Sequence, residues 1–135
     1  HITLGVNYNE LSAPVELDVT VLYKGEVVNS IGIGRDDVYT VVGKCVTVHI
    51  NGTNIDLVVS NSHNSYRGDL QFKHAGINDW KEYDVVVVKQ GYIFPELKAG
   101  AAFYVMSLTD GATPQNTKKI PFKLVMRPMY PLDEI

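Results

Sequence analysis

The sequence contains one cysteine, Cys45, so no internal disulfide can form. It also lacks a basic block. The longest basic run is Lys118-Lys119, and 12 Lys+Arg stand against 15 Asp+Glu for a net charge of −3. Nucleic-acid binders draw much of their affinity from neutralised phosphates, which weighs against that class of partner. No apolar run approaches the roughly 18 residues of a membrane span, so no membrane partner is expected. The longest, Val85 to Val88, is only strand-sized. At the N-terminus, His1-Ile2-Thr3-Leu4 shows no charged segment leading into an apolar one, so no signal peptide is expected. With a single thiol, this leans towards a reducing, cytoplasmic setting. An initiator Met is missing too, and the chain reads as a processed piece or a fragment of something larger.

Catalytic and metal signatures are equally scarce. His1, His49, His63 and His74 form no HxH, HxxxH or HExxH spacing, so no local metal motif exists. There is no Gly-x-Ser-x-Gly elbow, phosphate-binding loop or dinucleotide fingerprint. Cys45 has only Lys44 beside it, which a strand would turn to the opposite face. Cys45 therefore reads as a small buried hydrophobe and not as a nucleophile.

What is present is ordinary globular material. The 135 residues are 45% hydrophobic, enough for one domain with a core that needs no metal or disulfide staple. Val15, Leu17, Val19, Val21 and Tyr23 alternate with Glu16, Asp18, Thr20 and Lys24, the period-two pattern of a half-buried strand. Lys24-Gly25-Glu26 then reads as a turn into a second short strand at Val27-Val28. Asn51-Gly52 suits a two-residue type I′ hairpin. That loop would set Ile50 opposite Thr53, Val48 opposite Ile55 and Val46 opposite Leu57. Cys45, Thr47 and His49 would then lie on a mostly polar face against Val58, Asp56 and Asn54.

Asp69 to Gly76 reads as a short helix with Asp69 as its N-cap and Gly76 just past its end. Four consecutive β-branched residues, Val85 to Val88, suggest a strand buried on both faces. Phe94 to Gly100 reads as a single helical turn with Pro at its first position. Ala102 to Leu108 and Phe122 to Met126 read as further strands. Pro121, Pro128 and Pro131 keep the tail from being a long helix or a central strand. The expectation is an α+β or mostly β fold, about seven strands in a mixed sheet with two short helices.

Among polar segments, Lys89-Gln90-Gly91-Tyr92-Ile93-Phe94-Pro95 leaves the expected buried strand and turns into a helix start. Polar side chains there either face a ligand or simply solvate a strand end, and the residues do not separate the two. The loop Ser60-Asn61-Ser62-His63-Asn64-Ser65-Tyr66 reads as a connector or a recognition loop. Gly32-Ile33-Gly34-Arg35 reads as a turn, with an anion-binding nest as the alternative.

Several segments, taken in order, resemble the C-terminal domain of the microcystinase C-like (MlrC-like) metallopeptidases. Gly43-Lys44-Cys45-Val46-Thr47-Val48 and Ile55-Asp56-Leu57-Val58-Val59-Ser60 look like that family's first strands. Phe72-Lys73-His74-Ala75-Gly76-Ile77-Asn78-Asp79, then Val85 to Lys89 followed by Phe94, are similar to its next steps. Arg127-Pro128-Met129-Tyr130-Pro131-Leu132-Asp133 looks like its terminal motif. The likeness is strongest from Gly43 to Asp133.

The resemblance implies one domain of a larger two-domain protein, whose catalytic N-terminal domain carries the metal ligands. Zinc is then expected in that missing domain, and no catalytic or metal residue in this chain. Lys89 and Arg127 match family positions and are expected to face the domain interface or the substrate cleft, with Ser60 and Tyr92 as weaker companions. Ile93 stands where the family has a His, so any role of that His is lost or moved. Arg127 equally suits a structural role, bonding a carboxylate or carbonyls near the tail. The resemblance implies the N-terminal domain of the same parent chain as partner. Apolar residues around Ile2, Leu4, Val6 and Tyr8, or Met129, Tyr130 and Leu132, would form the covered patch and could support a homodimer. The competing reading is a free-standing β-rich module for a small molecule, sugar or protein, resting on the Asn/Ser-rich loop and 8 tyrosines.

Overall fold

The computed structural model describes residues 1–5, 13–30, 38–107 and 116–134. Five strands are present among these residues, and both sheets are antiparallel. β1 (Ile2–Leu4) pairs with β2 (Val15–Leu17) in a two-stranded sheet. β3 (Val19–Ser30), β4 (Tyr39–Ile50) and β5 (Ile55–Ser60) form the second sheet in the order β3-β4-β5. Two short helices, α1 (Asp69–His74) and α2 (Pro95–Gly100), and two 3₁₀ turns, Trp80–Glu82 and Thr117–Lys119, complete the elements. The fold is mostly β with two short helices, as expected. The strands number five in two antiparallel sheets, not about seven in one mixed sheet.

The chain divides into two compact units, His1–Tyr104 and Val105–Ile135. The first contains both sheets and both helices. Val27, Cys45 and Ala75 form one buried cluster in it, with Val58 and Tyr66 packed alongside. Phe72, Trp80 and Leu97 form another, flanked by Tyr66, Ile77, Val86, Val88 and Ile93. Burying each such side chain stabilises by roughly 1.5–3 kcal/mol, so these clusters rather than a stapled loop hold α1 and α2.

Several expected elements change form, each for a physical reason. Lys24-Gly25-Glu26 is not a turn but the middle of the twelve-residue β3. Gly25 stands there because a Cβ would lie 2.0 Å from the carbonyl oxygen of His74 at the end of α1. The chain needs closeness there, not a bend. The preceding alternation is broken at Asp18 between β2 and β3, since Asp18 uses its carbonyl and carboxylate to hold Asn51.

The Asn51-Gly52 hairpin has four loop residues instead of two. Ile50 pairs with Ile55, Val48 with Leu57 and Val46 with Val59. Gly52 has φ +79 and Asn51 does not have positive φ, the pattern of a type II turn closed by Thr53 N–H on the Ile50 carbonyl at 3.1 Å. Asn51 is held instead by Thr20 on β3 (2.8 Å) and by Asp18 just before it (3.3 Å). The register moves by two residues, which preserves the faces. The face bearing Cys45 and Thr47 is nonetheless buried rather than solvated, because α1 packs there.

α1 starts one residue earlier than expected, at Asp69 itself. Gly68 holds the N-cap position, and the Asp69 carboxylate instead accepts from Trp80 Nε1 at 2.8 Å. Gln71 Oε1 accepts from Gly68 N–H at 3.1 Å. Gly76 follows the helix at φ +81, as its sequence suggests. α2 opens on Pro95, also as expected.

Val85–Val88 belongs to no sheet, and only alternate side chains are covered. Val86 and Val88 meet the Phe72–Trp80–Leu97 cluster, while Val85 and Val87 stand 77% and 91% exposed. A β-branched run specifies an extended backbone, but it does not supply a neighbour. Ala102 to Ser107 forms no strand either, and Leu108 lies outside the described residues. In the second unit Phe122–Met126 is likewise unpaired. The Phe122 N–H is spent locally on the Ile120 carbonyl at 2.8 Å, and Pro121 and Pro128 flank the run. The Gly32-Ile33-Gly34-Arg35 turn, Val6 and Tyr8 lie outside the described residues.

Candidate functional site

The β4–β5 pairing places His49 directly opposite Asp56. His49 Nδ1 and an Asp56 oxygen are 2.8 Å apart, and Tyr83 donates its hydroxyl to the other oxygen at 2.7 Å. Both carboxylate oxygens are therefore occupied. These bonds, first to His49 and then to Tyr83, hold the Asp56 carboxyl below its ordinary value. The same bond pushes the Tyr83 phenol up. A carboxylate fixed in its charged form is a clamp and not a proton acceptor. It ties the segment after the 3₁₀ turn Trp80–Glu82 to the outer edge strand.

A second polar feature lies at the other end of β4. A cavity of about 300 Å³ is lined by Lys44, Cys45, Val46, Val59, Ser60 and Asn61. Its polar rim is internally bonded. Asn61 Oδ1 accepts from Lys44 N–H at 2.7 Å, and Ser60 Oγ donates to the Ser62 carbonyl at 3.0 Å. Cys45 is buried beneath it. The Tyr66 hydroxyl is buried with the Cys45 thiol beside it and no hydrogen bond of normal geometry. Burial first, and then that thiol, push the Tyr66 phenol well up. The Tyr66 phenol therefore stays neutral at ordinary pH.

The residues singled out by sequence fall on separate segments. Ser60 ends β5 and lines the cavity. Lys89 is exposed at the end of the valine run, and Tyr92 is exposed with its ring 5.1 Å from that of Phe94. Arg127 lies in the second unit, where it pairs with Asp133. Asp133 also accepts from Met129 N–H at 2.7 Å, so one carboxylate closes the Arg127–Asp133 segment on itself. Its pKa is lowered, chiefly by that backbone bond and then by Arg127. Arg127 thus takes the carboxylate-bonding role its guanidinium suits.

Two groups carry more of the local architecture than their sequence context suggests. Arg67 bonds Asn29 and sits 5.6 Å over the Phe94 ring, tying β3 to the entry of α2. The His49–Asp56–Tyr83 set was equally hidden, since it depends on a register displaced by two residues. Among the described residues no group of three or more His, Cys, Asp or Glu is placed to hold a metal ion. None of their helices is long and apolar enough to cross a membrane.

Compared with known families, residues 1–124 match the family described as the MlrC C-terminus. The chain belongs to the MlrC C-terminus family. The match to the MlrC C-terminus takes in both sheets and both helices, and it reaches further towards the N-terminus than the motifs from Gly43 onward. It ends before Arg127, so the Arg-Pro-Met-Tyr-Pro-Leu-Asp motif lies beyond the matched residues. No curated protein and no solved structure matches the chain. As an MlrC C-terminal domain, it is an accessory part of MlrC-like proteins and sits with an N-terminal domain in the same chain.

Proposed function

We propose that this domain supports the catalytic N-terminal domain of an MlrC-like zinc metallopeptidase or amidohydrolase and lines one wall of its substrate cleft. The family match over residues 1–124 carries the reading. The zinc and its Asp and His ligands belong to the N-terminal domain, and the substrates are peptide-like or other amides. Lys89, Tyr92, Ser60 and Arg127 are the residues proposed to face the cleft or the domain interface. Exposed apolar side chains in the second unit add support. Leu124 is 102% and Met126 84% exposed, more apolar surface than a short segment normally leaves in water. An N-terminal domain seated on that segment would cover it.

The test uses the full parent protein beside this chain alone. The parent is expected to bind zinc stoichiometrically and to hydrolyse amide substrates, and the chain alone to do neither. Lys89→Met in the parent is expected to raise KM or lower kcat without changing its zinc content. Stoichiometric zinc or amide hydrolysis by the isolated chain would overturn the reading. So would a parent that binds small molecules or sugars without hydrolysing any amide, which would return the domain to the class of binding modules.

A further inference from the structure

Asn51-Gly52 is the one Asn-Gly pair in the sequence, and both residues are exposed in the turn between β4 and β5. Asparagine is among the chemically labile residues, and its neighbour decides how labile. A following glycine leaves its own backbone nitrogen unshielded by a side chain. The space around Gly52 is open as well, since a Cβ there would meet nothing within 4 Å. Against this, the Asn51 carboxamide is tied at both ends. Its Oδ1 accepts from the Thr20 hydroxyl at 2.8 Å, and its Nδ2 donates to the Asp18 carboxylate at 3.3 Å. The Asn51 N–H adds a bond to the Asp18 carbonyl at 2.9 Å.

We propose that Asn51 is a self-modification site, deamidated through a cyclic imide with Gly52, and that Thr20 and Asp18 restrain the reaction. The Gly52 nitrogen bonds to Asn51 Cγ and gives its proton to solvent, while the Cγ–Nδ2 bond breaks and ammonia leaves. Water then adds to one of the two imide carbonyls and opens the ring. The products are aspartate and isoaspartate, the latter with the main chain rerouted through the side chain. Water is the only co-reactant. Ring closure has to swing the carboxamide carbon onto the Gly52 nitrogen, and the bonds to Thr20 and Asp18 hold it against that swing. Each of them lost lets the carboxamide swing free roughly fivefold more often, the contribution of one ordinary hydrogen bond. The products do not fit the place that held the amide. An aspartate has no N–H for Asp18 and sets a second carboxylate where Nδ2 stood 3.3 Å away. Isoaspartate lengthens the main chain inside the turn that sets Ile50 opposite Ile55 and His49 opposite Asp56. Modification therefore loosens the β4–β5 pairing at its closed end.

Incubating the chain in mildly alkaline buffer and mapping its peptides by mass spectrometry tests this. The peptide bearing Asn51 is expected to change mass as an amide replaced by an acid does, with aspartate and isoaspartate both present. An Asn51 peptide that stays unmodified, folded or unfolded in urea, overturns the proposal. Conversion is expected to run faster in urea than in the folded chain, and the reverse order overturns the restraint. Thr20→Val and Asp18→Ala are each expected to speed conversion in the folded chain roughly fivefold. An unchanged or slower rate in either variant overturns that residue's part. Both positions are exposed, and unchanged far-UV circular dichroism checks that each variant is folded. Asn51→Asp reproduces the aspartate product and is expected to lower the folding constant on the order of fivefold, by like-charge repulsion across water. Adding Asp18→Asn returns one carboxylate and one amide to the pair and is expected to recover that loss in urea unfolding. A double variant no more stable than Asn51→Asp overturns the charge clash. These outcomes are independent of the cleft reading, which concerns the N-terminal domain and its substrates.

Discussion

His49 and Asp56 face each other across the β4–β5 ladder at 2.8 Å, and the second Asp56 oxygen accepts from Tyr83 at 2.7 Å. The set crosses from the sheet to the chain after α1. It makes a defined part of the fold sensitive to proton concentration.

The sign of that sensitivity follows from Asp56 and Tyr83. Asp56 is depressed, so its contribution is present above its unfolded value and lost as pH falls through the folded one. Tyr83 is raised from 10.0, so its contribution is present below pH 10 and lost as pH rises above it. Melting temperature against pH is expected to show both limbs. Asp56→Asn should flatten the acid limb and Tyr83→Phe the alkaline one, the latter costing about 0.5–1.5 kcal/mol at neutral pH. An acid limb unchanged in Asp56→Asn would refute the assignment.

Thr47 sits buried in β4 and donates to the Ala75 carbonyl at 2.6 Å, joining the sheet to the end of α1. Thr47→Val keeps the shape but leaves that carbonyl without its donor, an expected loss of about 1–3 kcal/mol. Thr47→Ser keeps the donor and should lose less. Urea unfolding of both variants measures the difference, and equal stabilities would mean the bond contributes nothing.

Gly25 admits no side chain, because a Cβ would stand 2.0 Å from the His74 carbonyl oxygen. Gly25→Ala is expected to push α1 off β3 and to cost at least the 1–3 kcal/mol typical of overpacking, about as much as a sizeable core defect. Chemical-shift changes should centre on His74 and Ala75. A variant as stable as the parent would show that the approach is not tight.

Leu97 and Leu124 give opposite expectations for the same substitution. Leu97 is 4% exposed within the Phe72–Trp80 cluster, and Leu97→Ala should cost about 2–5 kcal/mol. Leu124→Ala should change the stability of the isolated chain by less than about 0.5 kcal/mol, as expected of a surface position. In the full parent protein Leu124→Ala is expected to become destabilising, once the N-terminal domain covers that side chain. Thermal melts of the chain and the parent provide the comparison.

The residues alone determined much of the local structure. Asn51-Gly52 marked the hairpin, Gly76 the end of α1 and Pro95 the start of α2, because turn and cap positions depend on each residue's own backbone preferences. The ordered segments from Gly43 onward also pointed to the MlrC C-terminal family. Tertiary structure decided the rest. Asn51 was drawn to Asp18 and Thr20 and lengthened the turn, moving the register by two residues and bringing His49 to Asp56. Gly25 served the approach of α1, a contact 49 residues away that no local window contains. Val85–Val88 has the β-branched side chains of a strand, but pairing requires a second strand. Propensity acts on one segment at a time, whereas register, burial and pairing belong to two segments at once.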